Sequence, residues 1–183
     1  SQLNLRYTDY AAGEPQVRVG FAEQNFIIAE AIVRGWAPGA AQTYYEQGIK
    51  NSMNFVVSST PDDVRFHSGR KMTPTYIDSY VTGTYVSFSA NPATQLKQIW
   101  MQKYLTYFMQ YSYDAYYNYR RTGYPELPIN PSTNTNPDDK TKIPVRYLYP
   151  GDEYTYNVAN LKVALDRQYG GSDKSNDLMW ILK

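Results

Sequence analysis

The chain predicts a mainly α fold, and three observations carry that prediction. Apolar residues recur at helical spacing in four separate stretches, and glycine or proline stands where three of them should stop. Only one brief stretch, residues 85–88, alternates in the manner of a strand, Tyr85 and Ser87 against Val86 and Phe88, and extended chain explains it equally well.

Residues 1–15 read as irregular. Over residues 17–34, Ala22, Phe26, Ala29 and Val33 fall at i, i+4, i+7 and i+11, one helical face that Ile28 and Ile32 widen. Gly35 ends this helix, and Pro38 opens a second over residues 39–55. There Ala41, Tyr45, Gly48 and Ser52 share a side, so small residues meet large ones and two antiparallel helices can approach closely. Residues 16–56 therefore read as a helix pair of the tetratricopeptide kind, with the ring of Trp36 expected to wedge the turn between them. A single pair is short of the three or so stacked repeats that stand alone, so the chain is expected to belong to something larger.

Residues 57–72 carry turn formers and charges without a period and read as a loop. Thr73-Pro74 starts a short helix to about Thr82, and Asn91-Pro92 starts the longest one, expected over 91–122. Leu96, Ile99, Trp100, Lys103, Tyr104, Tyr107 and Phe108 form its stripe, which persists through Tyr111, Ala115 and Tyr119. Arg120 and Arg121 then sit in the last turn, where cations suit the exposed carbonyls, with Gly123 as cap and Pro125 as stop. Residues 123–156 read as an irregular proline-rich tail, mobile around 132–141. Asn157 is expected to cap a final helix bearing Val158, Leu161, Ala164 and Leu165, stopped by Gly170-Gly171, and 157–183 end in an apolar segment that docks. The length of 1–183 suits one ordinary domain or a large piece of a bigger one.

Composition excludes much. The 183 residues hold 18 basic and 17 acidic side chains for a net charge of +1, which lacks the clustered positive charge of a nucleic-acid binder. There is no cysteine, hence no disulfide, thiolate metal site or thiol nucleophile. His67 is the only histidine, which rules out a multi-histidine metal site, and no phosphate-cradling glycine motif occurs. The acidic pairs Asp62-Asp63, Asp138-Asp139 and Asp152-Glu153 each flank a proline turn and most simply solvate it. No enzyme, cofactor or metal is expected.

Tyrosine is the outlier, with 20 residues beside 6 Phe and 3 Trp. An apolar ring with a polar tip suits half-buried surfaces and sugars, whose C–H faces stack on rings while their hydroxyls need donors and acceptors. Loops over a helical scaffold are the place for such rings, which singles out Arg6, Tyr7 and Tyr10 in the opening segment and Arg65, Phe66 and His67 in the 57–72 loop.

Several strings resemble one family. "FAEQNFIIAEAIVRGW" followed by "YYEQGIKNSM", then "LKQIWMQKYLTYF", "DAYYNYRRTGYPEL" and "IPVRYLYPGDEYTYNVANLKVAL", with a closing Gly-Gly-x-Asp, are similar in content and order to the C-terminal part of SusD/RagB (SusD-like) proteins. The resemblance implies tetratricopeptide-like helix pairs under an irregular ligand-binding face. It also implies a lipid-anchored protein on the outer face of the bacterial outer membrane, capturing oligosaccharides for a SusC-like TonB-dependent transporter. The lipid anchor is expected outside this chain. A peptide ligand, or a tetratricopeptide-like interaction module without a small ligand, are the alternatives. The matched residues Arg120, Arg121, Gly123, Pro125, Pro144, Arg146 and Pro150 look like scaffold, and the two arginines are expected to bond the tail, for instance at Asp152 or Glu153.

Overall fold

Gly20 has no side chain with which to cap a helix, and α1 (Phe21–Val33) begins directly behind it, later than the expected residue 17. The difference has a tertiary cause: the Val17 N–H is taken by Gln110 Oε1 at 3.2 Å, and Gln110 Nε2 donates to Glu14 at 2.6 Å, which holds this stretch extended. These details come from a computed structural model that describes residues 2–9, 13–110 and 113–182. Among the described residues there are seven α-helices, two 310 turns and no strand.

α2 (Ala41–Ser58) packs back along α1 as the hairpin spacing predicts. Ala22, Phe26 and Ala29 of α1 meet Tyr45 and Ile49 of α2, and Val81, Val86 and Ile99 complete the core. Each large side chain buried there contributes roughly 2–3 kcal/mol. The Phe26 ring lies directly over Gly48, where an added Cβ would stand 2.5 Å from it. Trp36 does not wedge the turn: its ring is 73% exposed, with the Arg34 guanidinium 5.1 Å from its centre.

α3 (Pro74–Val81) starts as expected, the Thr73 hydroxyl accepting the Tyr76 N–H at 3.2 Å, and buries Ile77 and Val81. Residues 85–88 form no strand. The N–H groups of Val86 and Ser87 both bond the Gly83 carbonyl, at 3.1 and 2.9 Å, so the backbone is satisfied within a turn.

The expected long helix is two. α4 (Pro92–Thr106) is capped by Asn91, whose side chain accepts from Ala93 and Thr94 N–H, and α5 (Asp114–Thr122) follows after a break. Met109 in the break has φ +59°, a left-handed conformation unfavourable for a residue with a side chain. Tertiary bonds impose it: the Tyr107 hydroxyl donates to Glu23 Oε1 at 2.8 Å, while Gln110 holds the segment before α1. Gly123, at φ +68°, caps α5 in the left-handed manner its position predicts.

The chain divides into two compact units, Ser1–Pro125 and Glu126–Lys183. In the second, α6 (Gly151–Tyr156) occupies part of the stretch expected to be irregular, and α7 (Val158–Tyr169) ends at Gly170, φ +66°. Asn157 precedes α7 without a side-chain cap, its amide donating instead to Glu153 at 2.7 Å. The stretch expected to be mobile is folded around Asn136, which is 1% exposed. The Asn136 amide donates to the Lys142 carbonyl and to Asn176, at 2.9 and 2.7 Å, and its Oδ1 accepts from the Ser175 hydroxyl at 2.8 Å. Among the described residues no helix is long and apolar enough to cross a membrane.

Candidate functional site

Asn4 joins two segments far apart in sequence. Its Oδ1 accepts the Arg6 N–H at 2.9 Å and so caps the 310 turn Leu5–Tyr7, while its Nδ2 donates to the Phe66 carbonyl at 3.0 Å and to Ser68 at 2.7 Å. The 61–72 loop is shaped by Asp63, whose side chain accepts from the Arg65 N–H at 2.9 Å, and by Ser68 and Gly69, both with positive φ, which reverse the chain. The opening turn and the loop thereby face one another over the C-terminal end of α2.

Between them is a groove of about 530 Å³. Tyr7 and Phe66 supply rings, Val56 and Met72 aliphatic surface, and His67, Arg70, Lys71 and Asp62 a polar rim. His67 Nε2 stands 3.4 Å from one Asp62 carboxylate oxygen, and Lys71 Nζ bonds the other. The Lys71 hydrogen bond and charge hold the Asp62 carboxyl below the ordinary carboxylate range. The rim therefore presents cationic donors with one carboxylate acceptor among them. Among the described residues no three metal-ligating side chains converge.

Four of the six residues singled out from sequence, Arg6, Tyr7, Phe66 and His67, line this one groove. Their parts differ. Arg6 is buried and committed to protein: it donates to the Val56 carbonyl at 3.2 Å and to the Thr60 hydroxyl, and it pairs with Glu14. Its guanidinium also stacks 4.6 Å from the Tyr7 ring centre and donates to the Tyr7 hydroxyl at 3.2 Å, so it sets that ring's position. Phe66 is buried at the base. Arg65 lies outside the groove, exposed, with its guanidinium on Asp63 at 2.7 and 2.9 Å. Tyr10 falls outside the described residues. Asn4, Thr60, Asp62, Arg70 and Lys71 were missed. Only the clustering of charge in "PDDVRFHSGRK" hinted at the last three, and a polar run in a loop ordinarily signals nothing beyond solvation.

Arg121 of the Arg-Arg-Thr-Gly string has a different role. Arg121 forms a forked pair with Glu30 of α1, at 2.6 and 2.9 Å, which also receives Arg34 Nε at 2.9 Å. Its carboxylate partner is thus Glu30, where Asp152 or Glu153 was expected. Burial opposes charge on Glu30, but the hydrogen bonds and charge of Arg121, with Arg34, prevail and hold its carboxyl at about 2. Lys103 is buried nearby, 3.9 Å from Glu23, and burial pulls its ammonium below the ordinary lysine range. In the second unit Arg146 is the counterpart: it pairs with Asp173 at 2.6 Å, donates to the Lys174 carbonyl at 3.0 Å and lies 4.3 Å from the Tyr169 ring centre.

A helical frame carrying an aromatic groove with a polar rim has the chemistry suited to binding. The profile of a SusD-like family described as "Starch-binding associating with outer membrane" matches residues 1–150, and the chain belongs to that family. Proteins of this family bind nutrients at the outer membrane and are not enzymes. A SusD homolog from Bacteroides fragilis is 48% identical with a TM-score of 0.91, covering 99% of this chain and 38% of its own. An outer membrane protein linked to nutrient binding, from Bacteroides vulgatus, is 34% identical with a TM-score of 0.82, covering 98% and 37%. A chitin-binding SusD homolog from Flavobacterium johnsoniae is 26% identical with a TM-score of 0.61, covering 88% and 36%. The chain thus spans less than two-fifths of the length of these solved relatives. A search of curated proteins found no match.

Proposed function

We propose that the protein takes part in non-catalytic capture of oligosaccharides at the outer face of a bacterial outer membrane, for delivery to a SusC-like TonB-dependent transporter. A lipid anchor is part of this reading, in keeping with the outer-membrane association of the family. The observation that carries this reading is the groove in which Tyr7 and Phe66 meet His67, Arg70, Lys71 and Asp62. Ring faces receive the C–H faces of a sugar, and the rim offers hydroxyls both donors and an acceptor. The family description and the chitin-binding homolog support a glycan as ligand.

Calorimetry of the full-length protein against starch-derived and chitin-derived oligosaccharides tests the proposal. Binding to at least one is expected. Tyr7→Ala is expected to raise its Kd about fivefold to tenfold, the ~1 kcal/mol that one ring face contributes. His67→Ala is expected to raise it less. Binding to peptides with none to any glycan would move the ligand class, and unchanged affinity in Tyr7→Ala would move the site.

A further inference from the structure

The charges around the groove do not cancel. Arg6, His67, Arg70 and Lys71 line it on the basic side, against the single carboxylate of Asp62. The two flanking segments, residues 1–15 and 57–72, carry four acids in all, and each is already engaged. Glu14 pairs with Arg6, Asp62 with Lys71, and Asp63 with Arg65 outside the groove. Asp9 accepts from the Thr8 hydroxyl at 2.9 Å, and its charge acts on Arg65. Among the described residues no carboxylate neutralises the exposed guanidinium of Arg70.

Backbone geometry fixes where that charge sits. The Arg70 N–H donates to the His67 carbonyl at 2.8 Å, and Ser68 and Gly69 between them have φ of +47° and +76°. This tight reversal brings His67 and Arg70 to one rim. The Asn4 amide donates to the Ser68 hydroxyl at 2.7 Å, which ties the reversal to the turn that carries Tyr7. Ring and guanidinium are thus held by the same small frame.

A planar guanidinium offers two parallel N–H donors, which a carboxylate matches with both oxygens and a neutral hydroxyl does not. We infer that the groove selects an acidic oligosaccharide, one built with uronic acid residues, whose ring face lies on Tyr7 and whose carboxylate lies on Arg70. This assignment rests on the glycan reading of the groove and names the class of glycan. Neutral chains use the same ring but leave Arg70 to solvent, and so bind more weakly. The preference is local. With 18 basic and 17 acidic side chains, the chain as a whole exerts little attraction on anions.

Calorimetry on the full-length protein with matched ligands tests the assignment. Oligogalacturonate and hyaluronan oligosaccharides are each compared with the same chain after its carboxyls are reduced to alcohols, which removes the charge and keeps the ring faces. At least one acidic form is expected to bind about tenfold more tightly than its reduced counterpart, and the gap is expected to shrink as salt is raised. Arg70→Gln is expected to bring the two affinities together. Arg167→Gln, which removes the same charge from α7, is expected to leave the gap in place. Equal affinity for acidic and reduced forms in the parent would overturn the inference and leave the glycan reading standing. A gap that persists in Arg70→Gln would overturn the role given to Arg70. A protein that binds no glycan of either kind would sink both readings together.

Discussion

The two units reach stability by different physical routes. In residues 1–125 an apolar core of Phe26, Tyr45, Ile49 and Ile99 contributes most, and the buried charges of Glu30 and Lys103, the first paired with the half-exposed Arg121, are attached to its edge. In residues 126–183, among the described residues, the buried apolar side chains are only Leu161 and Leu165, while Asn136, Arg146 and Ser175 are buried polar groups. The first unit has helices long enough to present a continuous stripe. The second has prolines over residues 126–150 that prevent such helices there, and side-chain amides and carboxylates meet backbone donors and acceptors instead. The first kind of packing tolerates changes of polarity badly and the second tolerates the loss of a single hydrogen-bonding group badly.

Removing the central ring should have the largest effect: Phe26→Ala is expected to cost about 3–5 kcal/mol in denaturant unfolding, with faster amide exchange in α1 and α2. Arg121→Ala leaves the Glu30 carboxylate buried without its main partner, and about 2–3 kcal/mol is expected, discounted because Arg121 is half-exposed. Ligand Kd should hardly move in that variant, since Arg121 does not border the groove. Acid titration sharpens the point. The Glu30 carboxyl lies at about 2 in the fold against an ordinary 4.5, so its contribution stands in full above about pH 4.5 and is lost as pH falls from there toward 2. Thermal melts over that window should show a shallower acid loss in Arg121→Ala than in the parent. For the second unit, Asn136→Ala is expected to cost about 2 kcal/mol, with faster exchange confined to the segments that Asn136 joins, around residues 136–142 and 175–176. An effect of Asn136→Ala as large as that of Phe26→Ala would erase the distinction between the units. Smallest is Asn91→Ala, which removes the α4 cap for about 1 kcal/mol, read from the midpoint of urea unfolding.

Sequence reading was most successful where one helix decides its own limits. The Thr73-Pro74 and Asn91-Pro92 starts and the Gly123 and Gly170 stops all appear in the structure, because caps act within a few residues of chain. It failed where a distant residue decides. The break before α5 depends on Glu23 holding Tyr107 and on Val17 and Glu14 holding Gln110, and the apolar stripe running across the break gives no sign of them. The Arg121 partner was misplaced for the same reason: Glu30 is 91 residues away, a buried carboxylate at the edge of the apolar face of α1. In the groove, ring chemistry pointed to Tyr7, Phe66 and His67, but the Asn4 amide that ties their two segments together looks like any other polar residue until its partners are seen.

The notch at Gly48 also limits how this architecture can change over time. With the Phe26 ring filling the place where any other residue would carry its first carbon, the paired rods have a single permitted alignment, and sliding either by one position would drive a methyl group into the ring. Gains or losses of residues are therefore confined to the connections outside the pair. Loops around the candidate groove are free to lengthen, shorten and diversify, while the frame beneath them keeps one register.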